Sequence, residues 1–155
     1  MRGKKTKKRQ LNPDSVLKSK VVTRVINTVM LSGKKSTAET VVYGAIYRMN
    51  EDKKEALRLF EQAVKNIMPQ QEVRSKRIGG ATYQVPMPLK HDRAEALAVR
   101  WLVHSARSKK GRPMQDKLFD ELTNAAQGTG DAIKKRDDTH RMAEANRAFA
   151  HFARS

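Results

Sequence analysis

Four histidines are the side chains with the most catalytic potential in this 155-residue sequence, yet their spacing builds neither a catalytic nor a metal site. They are His91, His104, His140 and His151. His140 and Glu144 are four residues apart and so share a helix face, but two ligands are too few for a stable zinc site and the HExxH order is absent. A polar helix surface is the better interpretation of this pair.

Other catalytic patterns are also missing from the sequence. It contains no cysteine, which excludes disulfide bonds, thiolate catalysis and cysteine-ligated zinc. The segment Gly33-Lys34-Lys35-Ser36-Thr37 looks like part of a phosphate-binding loop, but the upstream glycine and the preceding strand of that motif are absent. We interpret it as a basic turn followed by a helix, and we expect no enzymatic activity, no metal and no cofactor.

Positive charge is the dominant feature of the composition. The chain has 33 Lys and Arg against 16 Asp and Glu, a net charge of +17. Such an excess destabilises the fold by self-repulsion unless a polyanion neutralises it. A nucleic acid is the favoured polyanion, and an anionic membrane is a weaker candidate. A single basic cluster is usually a solvated face, but five clusters in one small chain favour binding.

The predicted RNA-binding cations are distributed over these five clusters. They are Arg2, Lys4, Lys5, Lys7, Lys8 and Arg9 in a tail; Lys34 and Lys35 in a turn; Arg74, Lys76 and Arg77 in a hairpin; Arg107, Lys109 and Lys110 in a loop that also contains Arg112; and Lys134, Lys135 and Arg136 at a helix start.

The hydrophobic pattern predicts a mainly α-helical fold. We expect a basic N-terminal extension, residues 1–14, that is disordered when free, followed by a single domain over residues 15–155. Six helices are predicted, near residues 19–32, 36–49, 53–68, 92–106, 114–127 and 131–150. Ser36 with Glu39, and Asp92 with Glu95, have the spacing of capping boxes. No apolar run approaches the roughly 20 residues of a membrane span, and the N-terminus does not resemble a secretory signal, so we expect a cytoplasmic protein.

A β-hairpin interrupts the helical pattern at about residues 72–89. Two segments rich in Val, Ile, Thr and Tyr flank Gly79-Gly80, which is typical of a tight turn. Pro86 and Pro88 are unsuited to a central strand, so we expect a protruding two-stranded arm that needs a partner for stability. Tyr83 has two possible roles, stacking on a nucleobase or packing the arm onto the body of the protein.

Three motifs in this sequence resemble one known family. They are residues 33–39 (GKKSTAE), 72–86 (EVRSKRIGGATYQVP) and 134–152 (KKRDDTHRMAEANRAFAHF). In their order and spacing they are similar to the bacterial type of the small-subunit ribosomal protein seven family, and the resemblance covers nearly the whole chain.

This resemblance implies a function and partners. Members of the family are six-helix proteins with a protruding hairpin that bind the 3′ major domain of 16S rRNA and nucleate assembly of the subunit head. They lie near the E-site tRNA and the mRNA exit path, beside small-subunit ribosomal proteins nine and eleven. The resemblance adds Arg141 to the rRNA contacts. It places near tRNA or mRNA the residues Gly79, Gly80, Ala81, Tyr83, Arg141 and Arg147.

Three functions therefore compete at the level of sequence. The first is a structural rRNA-binding protein of the ribosome. The second is a free regulator or architectural protein that binds DNA or mRNA. The third is a nuclease or RNA-modifying enzyme, which would need a cluster of ionisable or metal-binding groups that the sequence does not offer.

Overall fold

Over the residues that the structure describes, the fold consists of six α-helices, one hairpin and a C-terminal 3-10 helix. The computed structural model describes residue 3 and residues 10–154, so the predicted tail contacts Arg2, Lys4, Lys5, Lys7, Lys8 and Arg9 lie outside the described residues. The elements are α1 (Lys20–Val29), α2 (Lys35–Tyr47), α3 (Lys53–Ile67), β1 (Gln71–Ile78), β2 (Ala81–Pro88), α4 (His91–Ser108), α5 (Met114–Ala126), α6 (Asp131–Ala145) and the 3-10 helix (Arg147–Arg154). The predicted mainly α-helical fold is confirmed, with one additional short helix.

The core forms where the apolar stripes of the helices meet. Helix α5 packs against α2, α3, α4 and α6, which places it at the centre of the helical body. Phe60, Ile46 and Leu102 have no exposed surface and come from α3, α2 and α4. Burying side chains of this size contributes about 1.5–3 kcal/mol each. The helical body therefore rests on aliphatic contacts between neighbouring helices, as the predicted stripes indicate.

The predicted capping boxes are wrong. Helices α2 and α4 each begin one residue earlier than expected, and their N-cap residues, Lys34 and Lys90, provide no side-chain cap. Glu95 instead turns inward and pairs with Arg24 of α1 at 3.0 Å. Asp52 does cap a helix, because its side chain accepts a hydrogen bond from the backbone N–H of Lys54 at the start of α3.

The hairpin is partnered by the C-terminal part of the chain. Its two strands pair antiparallel, with Val73 opposite Pro86 and Ile78 opposite Ala81. Strand β1 packs against α6, and β2 packs against the 3-10 helix. The single sixth helix predicted for residues 131–150 is thus divided, since α6 ends at Ala145. The side chain of Asn146 donates to the carbonyl of Met142 at that point and competes with continuation of the helix.

The end of the N-terminal extension is held against the helices. Asp14 is buried, and its carboxylate accepts hydrogen bonds from the backbone N–H groups of Val16 and Leu17. The hydroxyl of Tyr43, on α2, donates to the same carboxylate at 2.7 Å. Residue 14 therefore differs from our expectation of disorder for the extension, because three donors fix its side chain.

Candidate nucleic-acid interface

The turn between α1 and α2 presents two lysines at a helix N-terminus. Ser32 and Gly33 have φ angles of 52° and 74°, in the left-handed region, and they reverse the chain before α2. Lys34 and Lys35 are exposed. Lys35 lies 3.8 Å from Glu39, whereas the ammonium of Lys34 has no partner among the described residues. An unpaired ammonium beside the N–H groups of a helix start favours binding of a phosphate.

The basic loop between α4 and α5 is partly engaged within the protein. The guanidinium of Arg107 donates two hydrogen bonds of 3.1 Å to the last two carbonyls of α1. It therefore satisfies acceptors that a helix end leaves open. Lys109 lies 2.7 Å from the carboxylate of Glu121. Lys110 is exposed and has no side-chain partner in the part of the chain that the structure describes.

The cations of the hairpin differ in their availability. Glu72 is buried and binds two arginines, Arg74 at 2.5 Å and Arg93 of α4 at 3.2 Å. The ammonium of Lys76 donates to a main-chain carbonyl of the 3-10 helix at 2.8 Å. Arg77 is exposed near the tip, and no described side chain pairs with it. Among the three cations predicted here, Arg77 is thus the one most accessible to RNA.

Tyr83 packs the arm onto the body in this structure. Its ring centroid lies 5.2 Å from that of Phe149 and 5.3 Å from that of Phe152, both in the 3-10 helix. These are distances at which tilted aromatic rings attract. The tip itself, residues 79–81, is exposed, and both of its glycines have positive φ. Of the two roles that the sequence left open for Tyr83, the geometry supports intramolecular packing.

Helix α6 carries exposed cations along its surface. Lys134, Arg141 and Arg147, which follows the helix, each lie near an acidic residue three positions earlier, at 3.2–3.4 Å. Exposed pairs of this kind contribute little to stability, so the cations can exchange them for phosphate. Lys135 is exposed, without an acidic partner among residues 10–154.

Arg136 differs from its neighbours on α6. Its guanidinium donates to the carbonyl of Asn66, at the end of α3, at 2.5 Å and also binds Asp137. His140, one turn later, accepts a hydrogen bond from the backbone N–H of Gln70 at 3.0 Å. These contacts join α6 to the segment before β1. The ring nitrogen that we considered as a metal ligand therefore has a backbone partner.

The structure brings the described clusters into two groups. In the first, the α1–α2 turn and the start of α5 share a groove of about 430 Å³, so the turn and the α4–α5 loop are neighbours. In the second, the hairpin, α6 and the 3-10 helix surround a groove of about 750 Å³. Each group holds at least one cation without a described partner, Lys34 and Lys110 in the first, Arg77 in the second. Cations distant in sequence thus lie in two regions of the fold, each beside one groove.

Comparison with known proteins decides the family. Residues 1–147 match the sequence profile described as ribosomal protein S7p/S5e. The small ribosomal subunit protein uS7 of Pelotomaculum thermopropionicum is 54% identical over 146 residues, which cover 94% of each chain. That of Thermotoga maritima is 53% identical over 153 residues, covering 98% of this chain and 99% of the relative. This chain belongs to the ribosomal protein S7p/S5e family.

Membership of the S7p/S5e family agrees with the expectation that the protein is not an enzyme, because proteins of this family are structural. Within the described residues, no group of three acidic or histidine side chains is arranged to hold a metal ion. The same residues include no helix with the length and apolar character needed to cross a membrane.

One basic surface of this S7p/S5e chain was missed in the sequence. Arg93, Arg100 and Arg107 recur every seven residues and lie on one face of α4. Arg100 and Arg24 line a groove of about 370 Å³ between α4 and α1. The seven-residue spacing of arginine was the available signal, but intervening acidic residues, such as Glu95, hid it from a search for basic runs.

Proposed function

We propose that this chain binds the 3′ major domain of 16S rRNA directly and nucleates assembly of the head of the small ribosomal subunit. Membership of its family makes it a structural constituent of the small ribosomal subunit, a cytoplasmic particle, in association with 16S rRNA. The finer proposal, a direct contact with one rRNA domain, is supported by the exposed cations in these two groups and by the resemblance in sequence.

One observation carries this proposal. Cations without a protein partner among the described residues occur in four separate elements: Lys34, Arg77, Lys110 and Lys135. Each is exposed, and unpaired ammonium or guanidinium groups are the donors that phosphate oxygens take up with release of counterions. Their spread over a turn, an arm, a loop and a helix fits an RNA that contacts the protein on several sides better than it fits a single linear ligand.

The test measures binding to RNA as a function of salt. We expect the full chain to bind a transcript of the 3′ major domain more tightly than a 5′-domain transcript of equal length. Lys135→Ala is expected to reduce the slope of log K against log salt by about 0.7–0.9, the value for one phosphate contact. Lys54→Ala is the matched control, because Lys54 is also an exposed, unpaired helix lysine in the described chain but lies outside the basic clusters.

Co-sedimentation separates the ribosomal role from that of a free regulator. The protein is expected to remain with small subunits at moderate salt. Recovery in the free fraction while cells translate normally would favour a regulator of DNA or mRNA. An unchanged slope for Lys135→Ala, with equal affinity for the two transcripts, would remove the support for specific rRNA recognition.

The hairpin and the adjoining surface of α6 and the 3-10 helix are proposed to lie near the E-site tRNA and the mRNA exit path. Small-subunit proteins nine and eleven are proposed as their neighbours. Exposure of the tip and of Arg141 and Arg147 supports this placement. Gly79 and Gly80, which have positive φ angles, carry no Cβ atoms at the turn, so an RNA backbone can approach the tip closely. This part of the proposal rests on the resemblance together with these features.

A further inference from the structure

Glu121 is a fully buried carboxylate in a protein that is otherwise rich in positive charge. It lies on α5 with no exposed surface. One of its oxygens accepts a hydrogen bond from the backbone N–H of Ala132, in the first turn of α6, at 2.8 Å. The other lies 2.7 Å from the ammonium of Lys109. A charge at this depth is unfavourable unless it is paired, and Lys109 supplies the opposite charge.

The chain is built to bring this carboxylate close to the start of α6. Gly130, the residue before the helix, has φ of 101°. A Cβ at this position would lie 3.1 Å from a carboxylate oxygen of Glu121 and 3.1 Å from Asn124. Glycine therefore serves both the backbone conformation and the close approach. The contact between Glu121 and Ala132 consequently depends on the backbone of the junction as well as on the side chain.

Ion pairs with two consecutive acidic residues of α5 hold both ends of the α4–α5 loop. Lys109 pairs with Glu121, and Arg112 pairs with Asp120 at 3.0 Å. Lys110 lies between these two anchors, exposed and without a side-chain partner in the described chain. The loop thus presents one available cation from a short segment whose two ends are fixed on one helix.

We propose that the Lys109–Glu121 pair positions RNA-binding cations and does not itself contact phosphate. Through its two oxygens Glu121 ties the basic loop to the first turn of α6, so Lys110 and Lys135 are held in one arrangement by one buried carboxylate. The charge pattern predicts Lys109 as an RNA contact, but in this proposal it contributes to RNA binding by positioning Lys110. This inference rests on the proposed function and refines it at one site.

The test compares removal of the anchor with removal of the contact. In the double variant Lys109→Met/Glu121→Gln, no buried charge is left unpaired, and the amide oxygen of Gln can still accept from Ala132. Lys110→Ala removes the proposed contact and leaves the anchor. Lys109→Ala/Glu121→Gln, which likewise leaves no buried charge unpaired, is the second anchor variant in case the first double variant fails to fold. Circular dichroism and thermal melting establish that each full-length variant is folded at the temperature of the binding assay.

The affinity for the 3′ major domain transcript and its salt dependence then distinguish the roles. We expect the anchor variants to bind about three- to tenfold more weakly, because the loop must be ordered on binding, with a wild-type salt slope. Lys110→Ala is expected to reduce the slope by about 0.7–0.9.

Two results would overturn the inference. A reduced slope for the anchor variants would make Lys109 a direct phosphate contact. Wild-type affinity in folded anchor variants would restrict the pair to a structural role. Failure of the wild-type chain to prefer this transcript would instead count against the proposed function, so the two failures are distinguishable.

Discussion

Replacing Tyr43 by Phe removes one hydrogen bond from the buried carboxylate of Asp14 and retains the aromatic ring. The hydroxyl donates to Asp14 at 2.7 Å, while two backbone N–H groups bind the other carboxylate oxygen. Asp14 is only 7% exposed, so water does not readily replace the lost donor. Because hydrogen bonds to charged groups contribute about 1.5–3 kcal/mol and two donors remain, we expect a loss of about 1.5 kcal/mol in the free energy of unfolding. For a chain of this length that corresponds to about 3–6 °C in Tm.

The effect of Tyr43→Phe depends on pH in a defined direction. Burial raises the pKa of Asp14, but the hydrogen bonds from Leu17, Tyr43 and Val16 lower it by more. The pKa of this carboxyl group therefore lies below its ordinary value of 3.8. A carboxyl group with a lowered pKa stabilises the fold above its unfolded-state pKa and loses that contribution as the pH falls through its folded-state pKa. Burial and the bond to Asp14 raise the pKa of Tyr43, which therefore stays protonated. The difference between wild type and variant is expected to persist from about pH 7 to about pH 4 and to shrink below that.

Urea unfolding at several pH values measures this difference. Tyr47→Phe is the matched control, because Tyr47 lies one turn later on α2 with its ring centroid 6.3 Å from that of Tyr43. Its hydroxyl has no hydrogen-bond partner among the described residues, so its removal is expected to have little effect. Equal losses for the two variants, or a loss for Tyr43→Phe that stays constant in acid, would refute the assignment to the Asp14 hydrogen bond.

Two further predictions concern the arm. Tyr83→Ala removes two aromatic contacts of about 0.5–1.5 kcal/mol each, so amide exchange in residues 147–154 is expected to accelerate while that of α3 is unchanged; unaltered exchange would contradict the packing role. Ala81→Cys introduces a single thiol into a chain without cysteine, and a cross-linker attached there is expected to reach E-site tRNA in assembled subunits. The same cross-linker at Lys54→Cys is the control, and equal yields would argue against a tip beside the tRNA.

The elements were predictable from the sequence because their signals are local. Apolar spacing and Gly79-Gly80 identify the helices and the hairpin without reference to other parts of the chain. The capping box predicted at Asp92 failed because Glu95 pairs with a distant cation, Arg24 on α1. In the same way, the spacing of residues around Glu121 gives no sign that it is buried. Long-range pairing of a charged residue is decided by tertiary packing, which a local pattern does not contain.

Clusters of positive charge were predictable from the sequence, but the structural or binding role of each cation was not. Arg107 and Arg136 appear in the sequence as members of basic runs, yet both donate to carbonyls at the ends of other helices. Those acceptors lie about 70–80 residues away in the chain, at positions 28, 29 and 66. The sequence therefore identifies which segments are basic, and the structure separates the cations that stabilise the fold from those left for a ligand.

This separation explains how a chain of net charge +17 keeps a folded core. Four acidic side chains are buried in the described part of the chain, and three of them, Glu72, Glu95 and Glu121, each pair with a cation from another element. They neutralise positive charge at the hairpin base, between α1 and α4, and between α5 and the basic loop. The surplus charge consequently remains at exposed turns and helix faces, where self-repulsion is screened by water and salt. Binding of RNA at those places removes the repulsion that the folded protein cannot neutralise by itself.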